Sequence, residues 1–507
     1  MLKRILIIGV VAAVLVGGAT AAGAAWLWNQ AALDTAGKVE FANPLAIPPL
    51  AESEVDADGR RVFDLTAAAG NHDFGRGTET ATWGFNGDYL GPTLRARRGE
   101  QVVVNVHNRL GEGTTVHWHG MHLPPAMDGN PHQLVAPGET WSPTWRVDQP
   151  AATLWYHPHP HGQTEHHVYR GLAGMFILDD AESSALPLPK QYGVDDIPVI
   201  VQDKKFGRDG KLNDTPGFLS GIGVLGDTIA VNGTVAPYFD VTTERVRLRL
   251  LNGSTARTYE FGFADDRTFA LIGTDGGLLP APYQTDRIRL SPGERAEIVV
   301  TMAPGEEAVL RSFPPSLGPD LFGRFHGGDD TLDILQLRAA GELTASPPVP
   351  ERLVEVPRID PAEAVETRSF DLSGHQINGR KMSMDRIDAV VTVDTVERWR
   401  VVNNDGQPHT FHVHDVQFQV VSVAGATPPP ELQGWKDTVY LPPQQPYELV
   451  MRFTDYADPA TPYMYHCHLL KHEDSGMMGQ FVVVGPGQEP AIERPENDAP
   501  GHAHHHG

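Results

Sequence analysis

Short segments in which apolar and polar residues alternate recur along the whole chain. Valine occupies positions 102, 104 and 106, and arginine alternates with valine or leucine over residues 245–250. Because successive side chains of a strand point to opposite faces, such alternation predicts half-buried β-strands. Gly, Pro, Asn and Asp bound the segments, as in turns, and helical periodicity is scarce. The pattern therefore predicts an all-β protein.

One strand pattern occurs three times, and each copy ends in an asparagine. The copies end at Asn108, Asn252 and Asn403, at intervals of 144 and 151 residues. Similarity at a regular interval indicates tandem modules, and strands of this kind predict β-sandwich domains. We expect three such domains, joined by linkers at 180–195 and 340–357, and place them at residues 40–182, 195–342 and 356–486.

Composition excludes some classes of function. The 507 residues carry a formal net charge of −24, which argues against nucleic-acid binding because that binding needs a basic surface. The chain contains a single cysteine, so it cannot form an intramolecular disulfide. Acidity of this degree is otherwise mainly a signal of solubility.

The two ends of the chain differ from the rest. Lys3 and Arg4 precede an uncharged, largely apolar stretch that continues to about Trp28. Residues 1–30 are therefore predicted to be a signal peptide or an N-terminal membrane anchor, and the sequence does not decide between the two. Either one predicts an extracytoplasmic protein, which is secreted, periplasmic or anchored facing outward. Residues 487–507 form a tail whose histidine-rich end can bind metal.

The single cysteine stands between two histidines. Cys467 is flanked by His466 and His468, with His472 and Met477 further along the same segment. A lone cysteine is by default a small buried apolar residue, but a core position does not require this set of neighbours. Two histidines, one cysteine and a weak axial methionine form a mononuclear blue-copper centre. The segment therefore predicts such a centre.

Four His-x-His pairs predict a second metal cluster. They occur in the first and third modules: His117 with His119, His157 with His159, His412 with His414, and His466 with His468. Side chains two positions apart on a strand share a face, so each pair presents two imidazoles together. Cys467 then faces the other way, where it can meet His409, His472 and Met477. The middle module has Phe261 and Phe263 at the position of the first pair, which predicts a copper-free spacer.

These motifs resemble the three-domain multicopper oxidases over about residues 40–486. Residues 116–120 (Val-His-Trp-His-Gly), 156–162 (Tyr-His-Pro-His-Pro-His-Gly) and 171–174 (Gly-Leu-Ala-Gly) are similar to the bacterial laccase, cuprous oxidase and bilirubin oxidase-like branch. The resemblance implies three cupredoxin-like Greek-key domains that hold four copper ions. It assigns His409, Cys467, His472 and Met477 to type 1 copper, His117 and His412 to type 2, and two histidine trios to the type 3 pair: His119, His157 and His468, and His159, His414 and His466.

The resemblance also implies a reaction. A donor gives electrons to type 1 copper, Cys467 carries them to the other ions, and O2 is reduced to water. Asp128 and Glu473 stand where the family relays protons to the cluster. The alternative for either residue is a solvated surface acid.

The residues next to the predicted type 1 copper ligands bear on the class of electron donor. Asp405 and Asp474 match two aspartates of the substrate-copper site in cuprous oxidases, but Gln407 replaces a methionine there and the Met-rich insert is missing. Thioethers select Cu(I), so phenolic or bilirubin-like donors rank before Cu(I). A copper-binding envelope scaffold without turnover is the remote alternative. We expect a monomer.

Overall fold

The computed structural model describes residues 27–29, 31–217 and 219–491. Strands make up 46% of the chain and helices 7%, which confirms the all-β prediction. The predicted signal peptide or anchor lies mostly in residues 1–26 and the histidine-rich tract lies in 492–507, both outside the described residues. Within the described ranges, no helix is long and apolar enough to span a membrane.

The strands fall into three consecutive groups. The first part of the chain contains β1 (Asn43–Pro44), β2 (Glu54–Val55), β3 (Arg61–Asp73), β4 (Glu79–Phe85), β5 (Leu94–Arg97), β6 (Gln101–Asn108), β7 (His117–His119), β8 (Thr140–Trp141), β9 (Thr144–Arg146), β10 (Ala152–His157) and β11 (Gly174–Asp179). The middle part contains β12 (Asp196–Lys204), β13 (Thr228–Val231), β14 (Thr234–Val235), β15 (Pro237–Thr243), β16 (Arg245–Asn252), β17 (Tyr259–Phe263), β18 (Phe269–Thr274), β19 (Gly277–Thr285), β20 (Ile288–Leu290), β21 (Arg295–Thr301), β22 (Glu307–Phe313) and β23 (Leu332–Thr344). The last part contains β24 (Ala364–Ser373), β25 (Gln376–Ile377), β26 (Ala389–Thr392), β27 (Thr395–Asn403), β28 (His409–Val413), β29 (Phe418–Val423), β30 (Thr438–Leu441), β31 (Pro446–Phe453), β32 (Asp458–Cys467) and β33 (Met478–Val484).

The strands form two sheets in each part, with an apolar core between them. The sheet orders are β2-β3-β6-β8 with β4 and β9 at its side, and β5-β11-β10-β7, in the first module; β14-β13-β12-β16-β21-β18-β19 and β1-β15-β23-β22-β17-β20 in the second; β25-β24-β27-β31-β29 and β26-β33-β32-β28-β30 in the third. Each module has its own large buried cluster. One strand crosses between modules, because β1 pairs with β15 of the second module.

Helices are short and lie in the connections. Those that lie wholly within residues 31–217 and 219–491 are α1 (Thr164–Arg170), α2 (Ala181–Ala185) and α3 (Leu470–Asp474), with 3-10 turns at Pro125–Met127, Gly323–His326, Pro361–Glu363 and Pro430–Leu432. The first predicted linker contains α2, and the second begins within β23.

The three repeated asparagines make the same hydrogen bonds. Each side-chain oxygen accepts from the backbone N–H two residues further on, at 2.9 Å for Asn108, 3.1 Å for Asn252 and 2.9 Å for Asn403. Each Nδ2 donates to one carbonyl in the following turn and to a second carbonyl of a more distant segment. The repeat therefore marks one structural turn, and in the third module this turn leads into β28.

The histidine-bearing strands are buried on both faces. In β10, Leu154 and Tyr156 point into the core of the first module, while Trp155 and His157 point the other way. In β28, Phe411 belongs to the core of the third module. Strands that cover a core with one face ordinarily expose the other. Here the second face is covered because the two outer modules meet around the histidines and because residues of the middle module, such as Ile200 and Leu251, pack with Trp155.

Candidate metal centre

Eight histidines meet where the first and third modules pack together. They come from the ends of β7, β10, β28 and β32: His117, His119, His157, His159, His412, His414, His466 and His468. The ladders pair His117 with His157 and His412 with His466. Each side chain is at most 1% exposed. Every histidine of the four His-x-His pairs thus lies in one buried cluster.

Ring nitrogens within the cluster converge in small groups. The separations are 3.4 Å for His117 Nε2 to His412 Nε2, 3.4 Å for His119 Nδ1 to His157 Nε2, 3.2 Å for His159 Nε2 to His466 Nε2, and 3.3 Å for His414 Nε2 to His466 Nε2. These contacts join the pair that the resemblance assigns to type 2 copper, two members of one type 3 trio and all three members of the other. The geometry is therefore suitable for several adjacent metal ions.

Burial favours the neutral form of four of these imidazoles. It lowers the pKa of His119, His157, His412 and His414 well below the usual value, and neighbouring imidazoles lower it further. A neutral imidazole has one nitrogen lone pair free for a metal. These four rings therefore present uncharged nitrogen donors, which suit copper.

His468 provides a direct test of whether a metal fits. Both of its ring nitrogens are buried, and neither makes a hydrogen bond within the described part of the chain. Its ring lies 4.9 Å from the ring of His119 and 5.3 Å from that of His157, between centroids. A buried polar atom without a partner is costly. A metal ion shared with His119 and His157 would give one of these two nitrogens a partner, so these residues fit copper.

The outer ring nitrogens are held by the protein. Nδ1 of His117 and Nδ1 of His412 each donate, at 2.9 Å, to the backbone carbonyl of Asp128 and Asp437 respectively. His414 Nδ1 donates to Asp128 Oδ2 at 2.8 Å. Such bonds fix the tautomer and the orientation of a metal-binding ring.

Sequence reasoning missed a buried ion pair that supports the cluster. Asp437 Oδ1 accepts from His119 Nε2 at 3.1 Å. Arg295 of the middle module donates to both carboxylate oxygens of Asp437, at 2.7 and 2.6 Å. Through Arg295 and Asp437, the middle module thus helps to orient His119, although none of the predicted copper ligands comes from that module. The charged pair Lys436-Asp437 directly before the apolar strand β30 was the available signal.

Asp128 and Glu473 are both buried beside the histidines. Asp128 Oδ1 lies 3.4 Å from His117 Nδ1, and Glu473 lies 3.3 Å from His159 Nδ1 and 3.1 Å from His466 Nδ1. Both side chains are about 1% exposed. The surface-acid alternative is therefore excluded for both residues.

Cys467 lies in a separate cluster, inside the core of the third module. Its Sγ is 3.5 Å from His409 Nδ1 and 3.6 Å from His472 Nδ1, and those two nitrogens are 3.0 Å apart. Met477 is buried in the same core, and its carbonyl accepts from Cys467 N at 3.0 Å. Burial raises the pKa of Cys467 to about 12. Copper binding would therefore have to displace the thiol proton.

A groove of about 490 Å³ opens beside the Cys467 cluster. Its lining includes Leu219, Gly221, Leu321, Phe322, Asp405 and Gln407. Gly221 O accepts from His472 Nε2 at 3.2 Å, and Asp405 Oδ2 accepts from His409 Nε2 at 2.8 Å. The outer nitrogens of both histidines thus contact residues that line the groove. Sequence reasoning identified Asp405 but not Gly221, which comes from the middle module.

Asp405 and Asp474, the two predicted substrate-metal residues, have separate protein partners. Asp405 accepts from Gly374 N at 3.0 Å in addition to His409. Asp474 accepts from the backbone N–H groups of Thr164 and Glu165, at 2.8 and 2.9 Å. Asp474 therefore caps the first turn of α1, whose N–H groups have no partner within the helix.

Replacing Asp474 with alanine is expected to loosen the start of α1. Loss of a helix cap costs about 1 kcal/mol, so the amides of Thr164 and Glu165 should exchange with solvent roughly fivefold faster. Amide hydrogen exchange measures this directly. Asp474→Asn, which retains one acceptor oxygen, is the matched control. Unchanged exchange in the alanine variant would contradict the capping role.

Three matches to the multicopper oxidase family cover most of the chain. They span residues 66–183, 203–308 and 355–486. Together they include more than half of the sequence and reach all three modules.

Among the similar curated proteins, some are named as cell division proteins and another as a multicopper oxidase. Cell division protein FtsP of Xenorhabdus nematophila is 39% identical over 446 residues, which are 87% of this chain and 92% of that protein. FtsP of Escherichia coli is 37% identical over the same shares. Multicopper oxidase mco of Staphylococcus haemolyticus is 35% identical over 87% of this chain and 93% of that protein.

Solved structures of bacterial laccases share the fold. The laccase of Pediococcus acidilactici superposes with a TM-score of 0.79 at 34% identity, covering 88% of this chain and 94% of that one. A laccase-like multi-copper oxidase from Ochrobactrum sp. gives 0.79 at 35% identity, covering 87% and 100%. These likenesses confirm the cupredoxin-like sandwich fold. The chain belongs to the multicopper oxidase family.

Proposed function

We propose that the protein couples the one-electron oxidation of phenolic or similar organic donors to the four-electron reduction of O2 to water. Copper bound at the Cys467 cluster would supply one-electron transfer, and copper bound among the eight histidines would supply O2 reduction. The proposed ligands are those named from the sequence: His409, Cys467, His472 and Met477 for one ion, and the eight clustered histidines for three more.

The observation that carries this proposal is that one strand supplies residues to both groups of predicted copper ligands. Cys467 faces the core of the third module, while its neighbours His466 and His468 face the histidine cluster. A single peptide segment therefore joins the two clusters covalently. A protein that only stored copper would not need this connection.

Asp128 and Glu473 are proposed to handle the protons that O2 reduction consumes. Asp128 Oδ2 contacts His414, and the Glu473 oxygens lie beside His159 and His466. A carboxylate in this position can hold a proton at an oxygen atom next to the cluster. The two acids approach different histidines, so each could serve a different part of the cluster.

The residues that line the groove favour an organic electron donor. Leu321 is 85% exposed and Phe322 48% exposed at its wall, and apolar side chains of this size suit an aromatic ring. Gln407 stands where the cuprous oxidases have a thioether, and both oxygens of Asp405 already accept hydrogen bonds. These features favour a phenol over Cu(I), although Cu(I) oxidation remains the alternative activity.

The FtsP relatives favour a second candidate function, a structural role in cell division without turnover. Their identity to this chain reaches 39%. The burial and convergence of all predicted ligands favour the oxidase, because a scaffold has no need of unpaired buried imidazoles such as His468. The apolar sequence of residues 1–26 supports an extracytoplasmic location. We also propose a monomer.

Oxygen uptake by the copper-loaded protein tests the donor class. With a methoxyphenol and with Cu(I) measured side by side, we expect the higher kcat/KM for the phenol. Gln407→Met is the matched control, since a thioether should raise Cu(I) oxidation while the phenol is still oxidised. A wild-type preference for Cu(I) would overturn the donor assignment, and no uptake with either donor would favour the scaffold.

A further inference from the structure

A histidine that lines the groove is paired with a buried aspartate behind it, and neither residue belongs to the two clusters of predicted copper ligands. His326 Nδ1 is 2.6 Å from Asp320 Oδ2, and the two side chains are 3% and 1% exposed. Asp320 Oδ1 also accepts from Phe322 N at 2.8 Å. The turn Gly323–His326 therefore holds the imidazole and the carboxylate in a fixed relation.

The other nitrogen of His326 is free to act on a ligand. His326 lines the groove, and within the described ranges no hydrogen bond engages its Nε2. A methyl group built on Gly221 would lie 3.7 Å from His326 Nε2 and would overlap Gln407 Oε1. His326 Nε2 and the Gln407 amide thus border the same space next to Gly221. The carbonyl of Gly221 accepts a hydrogen bond from His472.

His122 is also paired with an aspartate, but its second ring nitrogen has a partner whereas that of His326 has none among the described residues. His122 Nδ1 lies 2.8 Å from Asp415, and its Nε2 lies 3.3 Å from Asp455. Both nitrogens of His122 are occupied, as expected of a histidine that holds two modules together. His326 has one nitrogen on a carboxylate and the other facing a cavity, which is the arrangement of a general base.

The carboxylate of Asp320 decides which nitrogen carries the proton. A carboxylate at Nδ1 favours the tautomer with hydrogen on Nδ1 and the lone pair on Nε2, and it stabilises the imidazolium that forms when Nε2 is protonated. Asp405, the acid that lines the groove, already accepts a hydrogen bond from His409. His326 is therefore the base in this groove whose acceptor atom is not engaged.

We propose that His326 Nε2 accepts the hydroxyl proton of a phenolic donor as the donor is oxidised, with Asp320 as its positioning residue. This inference rests on the proposed function. The O–H bond of the phenol breaks and the proton forms an N–H bond at Nε2, while the one electron would be accepted by the oxidised copper that His409, Cys467 and His472 would hold. The product is a neutral phenoxyl radical, so charge and atoms balance.

Binding of para-nitrophenol to the copper-free protein tests the base without any oxidation. A nearby imidazolium stabilises the phenolate, so the pKa of the bound probe should fall by about one unit, a tenfold change in its ionisation. Absorbance titration reports this pKa. In His326→Gln the shift should disappear, and in Asp320→Asn it should shrink. An equal shift in wild type and His326→Gln would overturn the proposal.

Steady-state oxidation by the copper-loaded protein provides the second readout. His326→Gln should lower kcat/KM for a methoxyphenol by about a hundredfold and leave ferrocyanide, which loses no proton, within about twofold. His107→Gln is the matched control, because His107 pairs with Asp64 at 3.3 Å on the surface, away from the groove. Equal losses with both donors, or unchanged phenol oxidation, would overturn the role of His326. Wild-type protein that oxidises neither donor would instead refute the proposed function.

Discussion

Cys467→Ser should abolish oxygen uptake with every donor and remove the blue colour of the copper-loaded protein. A serine hydroxyl does not provide the thiolate that a blue-copper centre requires. Cys467 is also the backbone link between His466 and His468, so the substitution removes the sulfur from the connection between the two clusters. Visible absorbance and an oxygen electrode measure the two effects.

Copper content separates this result from misfolding. Because the eight histidines face away from Cys467, the variant should keep the copper of that cluster and lose only the ion at the cysteine. A blue Cys467→Ser protein, or one that still consumes oxygen, would show that the cysteine does not hold the electron-accepting copper.

Glu473→Gln should have the next largest effect, a fall in kcat of about 10²- to 10⁴-fold. Glutamine has nearly the same shape but cannot hold and release a proton beside His159 and His466. The blue colour should remain, because Glu473 makes no contact with the Cys467 sulfur. Kinetics with a methoxyphenol, together with the absorbance of the resting protein, give both readouts.

Asp474→Asn is the matched control for Glu473. It changes the adjacent carboxylate, which caps α1 instead of facing the histidines. This control should retain phenol oxidation. Full activity in Glu473→Gln would exclude that residue as the proton donor and leave Asp128 as the candidate.

Local periodicity explains why so much of the site could be predicted from the sequence. The two-residue repeat of a strand determines that His466 and His468 share a face and that Cys467 takes the other. The ladder between β28 and β32 then places Phe411 opposite Cys467 and His412 opposite His466. The three sandwich modules could also be predicted from local sequence, because the same strand ending in a turn asparagine occurs once in each module.

Contacts between distant segments could not be predicted in this way. Arg295 and Asp437 are 142 residues apart in sequence. The charged pair Lys436-Asp437 before an apolar strand is a signal of a buried charge, but neither local pattern indicates which residue it meets. The resemblance to cuprous oxidases predicts Asp474 as a substrate-metal residue, but nothing near it in the sequence indicated that its carboxylate also caps α1 of another module. The groove likewise combines Gly221 and Phe322 of the middle module with Gln407 of the third, and such a surface exists only after the modules pack.

Electron counting during oxygen reduction tests the central claim most directly. Copper-loaded protein is mixed with a limiting amount of a methoxyphenol, and the dioxygen consumed and any hydrogen peroxide formed are measured together. We predict one O2 consumed for every four donor molecules oxidised, with no peroxide, because the two clusters together deliver four electrons. Accumulating peroxide, or a fully copper-loaded protein that consumes no oxygen, would contradict a four-electron oxidase.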